Sequence, residues 1–237
     1  MPWASTAVPP PLAEREVHLW RVDLDGERDP ACLSPGEREA AARFADPDEG
    51  RRRAAARVAL RTLLGGYLDR APAALRFGTG PQGKPFLEDA PGLEFNLSHS
   101  GPDALVAAAR MTVGVDLERT VRRAPVDERR LANRFFTPEE VAAWQVGRRT
   151  DAAFFRLWTR KEAVLKAHGG GLAAGLDRFS VAAAWPPTGE AYSVLWPPAV
   201  DWEGRRYALY DLDIGPGLHA ALATVGVVEK IRQFTLA

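Results

Sequence analysis

The 237-residue sequence predicts an α+β protein made of two similar halves. Segments with apolar residues at helical spacing come first and segments alternating with period two come after them. That order runs twice, on either side of residues 112–120, as an ancient duplication would leave it, although no short-period repeat is visible. With 46% hydrophobic and 26% charged residues, the chain can bury a substantial core without metal or disulfide support. The expected division is a flexible N-terminal tail over 1–15, an α+β subdomain over 16–115 and a second over 116–237. The cleft between the subdomains is the expected ligand site.

The elements follow in order. Pro9, Pro10 and Pro11 can neither join a helix nor donate to a sheet, so the first 15 residues read as a tail. VHLWRVDLD, from Val17, alternates as a half-buried strand does. Ser34, Pro35 and Glu37 give a cap, a first-turn proline and a first-turn acid, predicting a helix over 35–44. DPDEG reads as a turn. RRRAAARVALRTLLGGYL is the best helix of this half, with Ala55, Val58, Leu60, Leu63 and Leu64 at helical spacing, and Gly65-Gly66 weaken or end it. GTGPQGKP punctuates, and LEFNLSHS, DALVAAAR and TVGVDLE read as short strands. In the second half Thr137-Pro138-Glu139-Glu140 starts a helix. DAAFFRLWTRKEAVLKAHGGGL is a longer helix with a glycine stop, and FSVAAAW, AYSVLW, RRYALYDLD and HAALATVG read as strands.

Composition removes several classes of function. Thirty-one basic residues balance thirty-one acidic ones, so no global field holds the protein on nucleic acid or an anionic membrane. No apolar run reaches the roughly 18 residues of a membrane span. A lone Cys32 and a start without a signal peptide point to a cytoplasmic protein.

Four local patterns carry chemistry. In TVGVDLERT, strand geometry sends Asp116 and Glu118 to one face, which marks either a solvated strand edge or a hard divalent cation. In LWTRKEAVLKAHGGGL, Glu162 and Lys166 share a helix face with Trp158 one turn earlier. An ordinary surface pair has that spacing too, but two of the four lysines, Lys161 and Lys166, fall in this one helix. GKP and NLSHS place Lys84, Ser98 and His99 in turn and strand-end settings that suit a phosphate or a nucleotide edge, although turn chemistry alone uses the same residues. Arg51-Arg52-Arg53 is unfavourable for a helix start unless an anion sits opposite.

GKP followed by FNLSHS, then GVDLE, then FFTPEE followed by FFRLWTRKEAVLKAHGGGL, resemble the 4'-phosphopantetheinyl transferases of the long, single-chain, pseudo-dimeric class (surfactin synthetase activator type), over most of residues 17–225. The resemblance implies two α+β subdomains related by pseudo-two-fold symmetry, each with helices packed on a small antiparallel sheet. It implies transfer of the phosphopantetheine arm of coenzyme A to a serine hydroxyl of an apo acyl or peptidyl carrier protein, releasing adenosine 3',5'-bisphosphate. Magnesium, with manganese as the alternative, falls on Asp116, Glu118 and Glu162. Glu162 and Lys166 become the catalytic pair. Lys161 and Lys166 fall near the coenzyme phosphates, His99 and Arg52 at the 3'-phosphate, with Arg51 or Arg53 as substitutes, and Lys84, Pro85 and Ser98 around the adenine. Glu140 matches the acid of the phenylalanine-rich motif. Where relatives carry upstream phosphate-binding lysines this chain has Glu37 and Ala40, and Arg38 and Arg43 are the candidates to compensate.

A monomer is expected, with neither nucleic acid nor membrane as partner. The arginine-rich stretch Arg119–Arg134, with Val121, Val126 and Leu131, is expected either to dock an acidic carrier or to be a solvated loop. Two other classes share some of these features: a magnesium-dependent nucleotidyl or phosphoryl transferase acting on a small molecule, and a non-catalytic coenzyme A-binding module. The absence of GxxxxGK[ST] counts against ordinary kinases and ATPases, and a binding module has no need of three carboxylates.

Overall fold

A computed structural model describes residues 3–121, 127–146, 150–171, 175–182, 199–202 and 204–236. Its strands, β1 (Ala4–Thr6), β2 (Glu16–Asp23), β3 (Phe77–Thr79), β4 (Pro85–Leu87), β5 (Glu94–Ser100), β6 (Asp103–Ala109), β7 (Val113–Arg119), β8 (Ala199–Trp202), β9 (Arg205–Leu212), β10 (Leu218–Val225) and β11 (Lys230–Leu236), form two main sheets and a ribbon. The first sheet runs β1-β11-β2-β6-β5, the second β7-β10-β9-β8, and β3 pairs with β4. The helices are α1 (Pro35–Ala42), α2 (Pro47–Leu68), α3 (Glu128–Phe135), α4 (Pro138–Val146) and α5 (Asp151–His168).

Strand alternation stacks these elements into four layers. Trp20 and Val22 of β2 and Ala104 and Val106 of β6 face α2, meeting Leu60, Leu63 and Leu64. Their chain neighbours Val17, Leu19, Leu105 and Ala107 face the other way, onto Val113, Val115 and Leu117 of β7 and Leu222 of β10. Ala221 and Ala223 of β10 then pack under α5 with Phe155, Ala163 and Ala167. The order is therefore α2, first sheet, second sheet, α5. Both faces of β6 are covered, which is why it is apolar from Ala104 to Ala109 rather than alternating. Full burial of Leu60, Leu63 and Leu64 contributes about 1.5–3 kcal/mol each relative to exposure.

Several expectations are corrected. DPDEG is the first turn of α2, not a turn between elements: Asp46 caps the helix by accepting from the Asp48 N–H at 2.9 Å. Gly65 and Gly66 do not end it, and the helix continues to Leu68. Both glycines are there for close approach: a Cβ at Gly65 would lie 2.6 Å from the Arg70 carbonyl oxygen, and one at Gly66 would lie 2.5 Å from Pro9 Cδ. The segment expected to be a flexible or draped tail packs Pro9 on α2 and supplies β1, which runs parallel to β11. The first sheet is mixed, not antiparallel, because β11 also runs parallel to β2, with Phe234 beside Trp20. GTGPQGKP is the turn of the β3–β4 ribbon. Residues 179–182 of FSVAAAW are not a strand, and the rest of that segment lies outside the described residues, as does AYSVLW. Arg122, Arg123 and Val126 also lie outside them. From Glu128 the arginine-rich stretch is helical, with Arg129, Arg130 and Arg134 exposed.

Candidate active site

The edges of the two sheets meet at β5 and β7, and no backbone ladder joins them. Side chains of β5 do so instead. Asn96 Oδ1 accepts the Val115 N–H at 2.8 Å, Ser98 Oγ the Leu117 N–H at 3.2 Å and Ser100 Oγ the Arg119 N–H at 3.2 Å. Phe95 and Leu97, on the opposite face of β5, belong to the α2 core. Period two on both strands makes this possible: alternate β7 amides point outward from β10, and alternate β5 side chains reach them.

The other face of β7 carries Gly114, Asp116 and Glu118 toward α5. Glycine is required at 114, where a Cβ would lie 2.2 Å from the Ala163 carbonyl oxygen and 2.3 Å from the Ala167 nitrogen. The helix backbone lies directly on the strand there, and that approach brings Glu162 and Lys166 beside Asp116. Lys166 Nζ donates to Asp116 Oδ1 at 2.6 Å and to Ser98 Oγ at 2.9 Å. Burial first, then the charges of Asp116 and Glu118, pushes the Glu162 carboxyl up to about 7, with Lys166 opposing. Ser98 also donates to Asp116 Oδ1 at 2.9 Å, and Ser100 donates to Glu118 Oε2 at 3.1 Å. Asp116 Oδ2 is buried with no hydrogen-bond partner among the described residues.

Among the described residues no three His, Cys, Asp or Glu side chains are gathered into a ready metal cluster. The ammonium of Lys166 stands against Asp116 instead. The chemistry of the donors nevertheless fits a hard divalent cation: a Glu162 carboxyl whose proton affinity is raised by burial and by Asp116 and Glu118, an orphaned buried oxygen on Asp116, and one lysine as the cation in contact with Asp116. Beside these groups opens a 290 Å³ cavity walled by Gly83, Lys84, Pro85, Asn96, Glu162 and Lys166, among others.

The structure brings together Asp116, Glu118, Glu162, Lys166 and Ser98, and places Lys84 and Pro85 on the cavity wall. It does not bring Lys161 there. Lys161 is fully buried, donating to Glu140 Oε1 and Oε2 at 2.8 and 2.6 Å and to the Phe179 carbonyl at 2.7 Å. Burial pulls its ammonium below the lysine range, with Glu140 opposing. Glu140 in turn accepts the Thr137 and Val181 N–H groups at 2.8 and 2.7 Å, so the pair ties α4, α5 and residues 179–181 together. A phosphate cannot reach it. The Ser98 hydroxyl is occupied in this structure: its one proton goes to Asp116, and its two lone pairs take Leu117 and Lys166. Lys84 presents its stem to the cavity while its ammonium caps the end of α5 at the Ala167 carbonyl, 3.1 Å, and bonds the Val113 carbonyl, 3.2 Å.

Arg52 is held at Asp25 by two hydrogen bonds of 2.8 and 3.0 Å, and at Glu49 by one of 3.1 Å. Its neighbour Arg53 is the arginine whose charge acts on His99, and burial together with Arg57 lowers its own proton affinity. Burial first, then Arg53, keeps His99 below the usual histidine range. Arg38 donates to the Leu33 carbonyl and Arg43 pairs with Glu39 at 2.6 Å, so both serve α1 locally.

Family models described as "4'-phosphopantetheinyl transferase superfamily" and "4'-phosphopantetheinyl transferase, N-terminal" match residues 112–214 and 27–112. The sequence is 42% identical over 182 residues to the 4'-phosphopantetheinyl transferase HetI of Nostoc sp., covering 72% of this chain and 76% of that one. It is 33% identical over 160 residues to the 4'-phosphopantetheinyl transferase Sfp of Bacillus subtilis, covering 66% and 69%. To AcpT of Salmonella typhi, also named a 4'-phosphopantetheinyl transferase, it is 42% identical over 130 residues, 54% of this chain and 65% of that one. The chain belongs to the 4'-phosphopantetheinyl transferases and is an enzyme of that family.

Proposed function

We propose that this chain moves the 4'-phosphopantetheine arm of coenzyme A onto a serine hydroxyl of an apo acyl or peptidyl carrier protein, releasing adenosine 3',5'-bisphosphate in a magnesium-dependent reaction. The observation that carries this is the approach of α5 to Gly114, which sets Glu162 and Lys166 beside Asp116 on the wall of the cavity. Asp116, Glu118 and Glu162 would hold the cation, which when bound supplies neutralisation of pyrophosphate charge. Glu162, with its proton affinity raised by burial and by Asp116, is the chain's own group to take the serine proton as the serine oxygen bonds to phosphorus. Lys166 stabilises the departing phosphate oxygen as the old phosphorus–oxygen bond breaks. Pro85, Gly83 and the stem of Lys84 wall the coenzyme's space. Arg53 offers positive charge and His99 a ring N–H to the 3'-phosphate, with Arg53 in place of the Arg52 that the family pattern suggests, because Arg52 is already engaged by Asp25 and Glu49.

The carrier's acidic surface would meet the exposed Arg129, Arg130 and Arg134 of α3. The two sheets, each with one long helix on its outer face and meeting edge to edge at β5 and β7, are the halves we assign to a pseudo-two-fold pair. A cytoplasmic setting and a monomeric state belong to the same proposal. No helix among the described residues is long and apolar enough to cross a membrane.

Intact mass spectrometry of an apo carrier protein incubated with the protein, coenzyme A and magnesium tests the reaction. Gain of one phosphopantetheinyl group, abolished by EDTA, is expected. No gain on any of several acyl and peptidyl carriers, from a sample that still binds coenzyme A, would overturn it.

A further inference from the structure

Ser98 and Ser100 make the same pair of bonds two residues apart. Each hydroxyl accepts the N–H of one β7 residue and donates to the carboxylate of the residue before it: Leu117 and Asp116 for Ser98, Arg119 and Glu118 for Ser100. Asn96 makes the first bond of the series to Val115, where the preceding residue is Gly114 and offers no carboxylate. The ladder therefore does two jobs at once. It closes the junction between the sheets, and it ties one oxygen of each acid to a fixed point on β5. A glutamate has one more rotatable bond than an aspartate, so holding its carboxylate in one place needs a tether of the kind Ser100 supplies. Ser100 lies beyond the cavity lining and has no part in walling the coenzyme's space.

We propose that Ser100 is a positioning residue for the divalent cation, its hydroxyl holding the Glu118 carboxylate in register with Asp116. This rests on the reading that Asp116, Glu118 and Glu162 hold that cation. Hydrogen-bond partners of metal-ligating carboxylates typically control metal affinity by about 10- to 100-fold.

The test uses the full chain without carrier protein. Manganese affinity is measured by electron paramagnetic resonance for wild type, Ser100→Ala, Ser100→Thr and Glu118→Gln, alongside coenzyme A affinity in EDTA and amide exchange at Arg119 in the metal-free protein. Ser100→Ala is expected to weaken manganese binding on the order of tenfold, to speed Arg119 exchange and to leave metal-free coenzyme binding within about twofold, and Ser100→Thr to restore the first two. If Ser100→Ala does not fold, Ser100→Cys keeps the volume with a weaker donor and carries the same expectation. Wild-type manganese affinity in Ser100→Ala with weakened affinity in Glu118→Gln overturns the inference and leaves the metal reading standing. Wild-type affinity in both overturns the metal reading and the inference with it. Parallel loss of manganese and metal-free coenzyme binding in Ser100→Ala also overturns the inference, because it marks general damage to the junction.

Discussion

Replacing Lys161 by methionine keeps an unbranched side chain, one heavy atom shorter, and removes its charge, and the consequence follows from the bonds it makes. Three acceptors lose their donor: both oxygens of Glu140 and the carbonyl of Phe179. Both side chains of the pair are fully buried, so no water takes over. Breaking one side of a buried ion pair costs about 3–5 kcal/mol. In a chain of this length each kcal/mol lowers the melting temperature by about 2–4 °C, so the midpoint of Lys161→Met should fall on the order of 10 °C. Adding Glu140→Gln removes the stranded charge, and its single amide oxygen can still accept from one of the Thr137 and Val181 N–H groups, which bond to different oxygens of Glu140, so the double variant should recover part of the loss. Adding Glu140→Leu instead should recover less, because those two amides then have no acceptor. Thermal and urea denaturation, with coenzyme A affinity measured well below the midpoint, decide the matter. Wild-type stability in Lys161→Met combined with tenfold weaker coenzyme binding would refute the reasoning and return Lys161 to the phosphates.

Glu162→Gln in the metal-free protein should be more stable than wild type at pH 8, by about 3 kcal/mol at ~1.4 kcal/mol per pKa unit, because the folded state there holds an ionised carboxylate whose pKa is raised from 4.5 to about 7. The gain should shrink as pH falls through 7 and vanish near the ordinary carboxyl value of 4.5, and a gain that is the same at pH 5 and pH 8 would contradict the assignment. Gly114→Ala places a Cβ against the α5 backbone, so α5 must lift, and a loss of more than about 3 kcal/mol is expected by urea denaturation, together with loss of activity. Arg53→Ala should weaken coenzyme A about tenfold or more by calorimetry while leaving dephospho-coenzyme A unchanged, as loss of a charge-assisted phosphate contact requires. Arg52→Ala should cost under about 1 kcal/mol of stability, because Asp25 is an exposed partner, and should leave the discrimination between the two ligands intact.

The helices and the acids are legible in the sequence because local rules decide them. The Ser34 cap is there in both directions, with Glu37 answering the Ser34 N–H at 2.9 Å, and the long helix carrying Glu162 and Lys166 starts on Thr150 and stops at Gly169, which has φ +80°. The placement of Lys161 is a matter of helix phase. Five residues from Lys166 is a rotation of about 140°, so the two lysines cannot serve one face. Strand parity likewise separates Ser98 from His99: Asn96, Ser98 and Ser100 turn to β7, while Phe95 and Leu97 turn to α2, whose Arg53 and Glu49 are the charges acting on His99. What no local rule carries is β11. Its residues Lys230–Leu236 hold no signal for a partner more than two hundred positions away, nor does the tail that runs beside it.

That returning strand bears on how the chain is made. β11 lies between β1 and β2 and brings Phe234 against Trp20, so the first sheet is incomplete until almost the whole polypeptide exists. A nascent chain extended as far as β7 holds α2, β2, β6 and β5 but leaves β2 with an open edge, one of the exposed strand edges through which folding intermediates aggregate. Cutting the protein at the junction between its halves would leave the same open edge permanently. The second half cannot be produced as a self-contained catalytic fragment either, because its last strand belongs to a sheet it would then lack. Co-expressed fragments should regain activity only when the later piece retains residues 230–236.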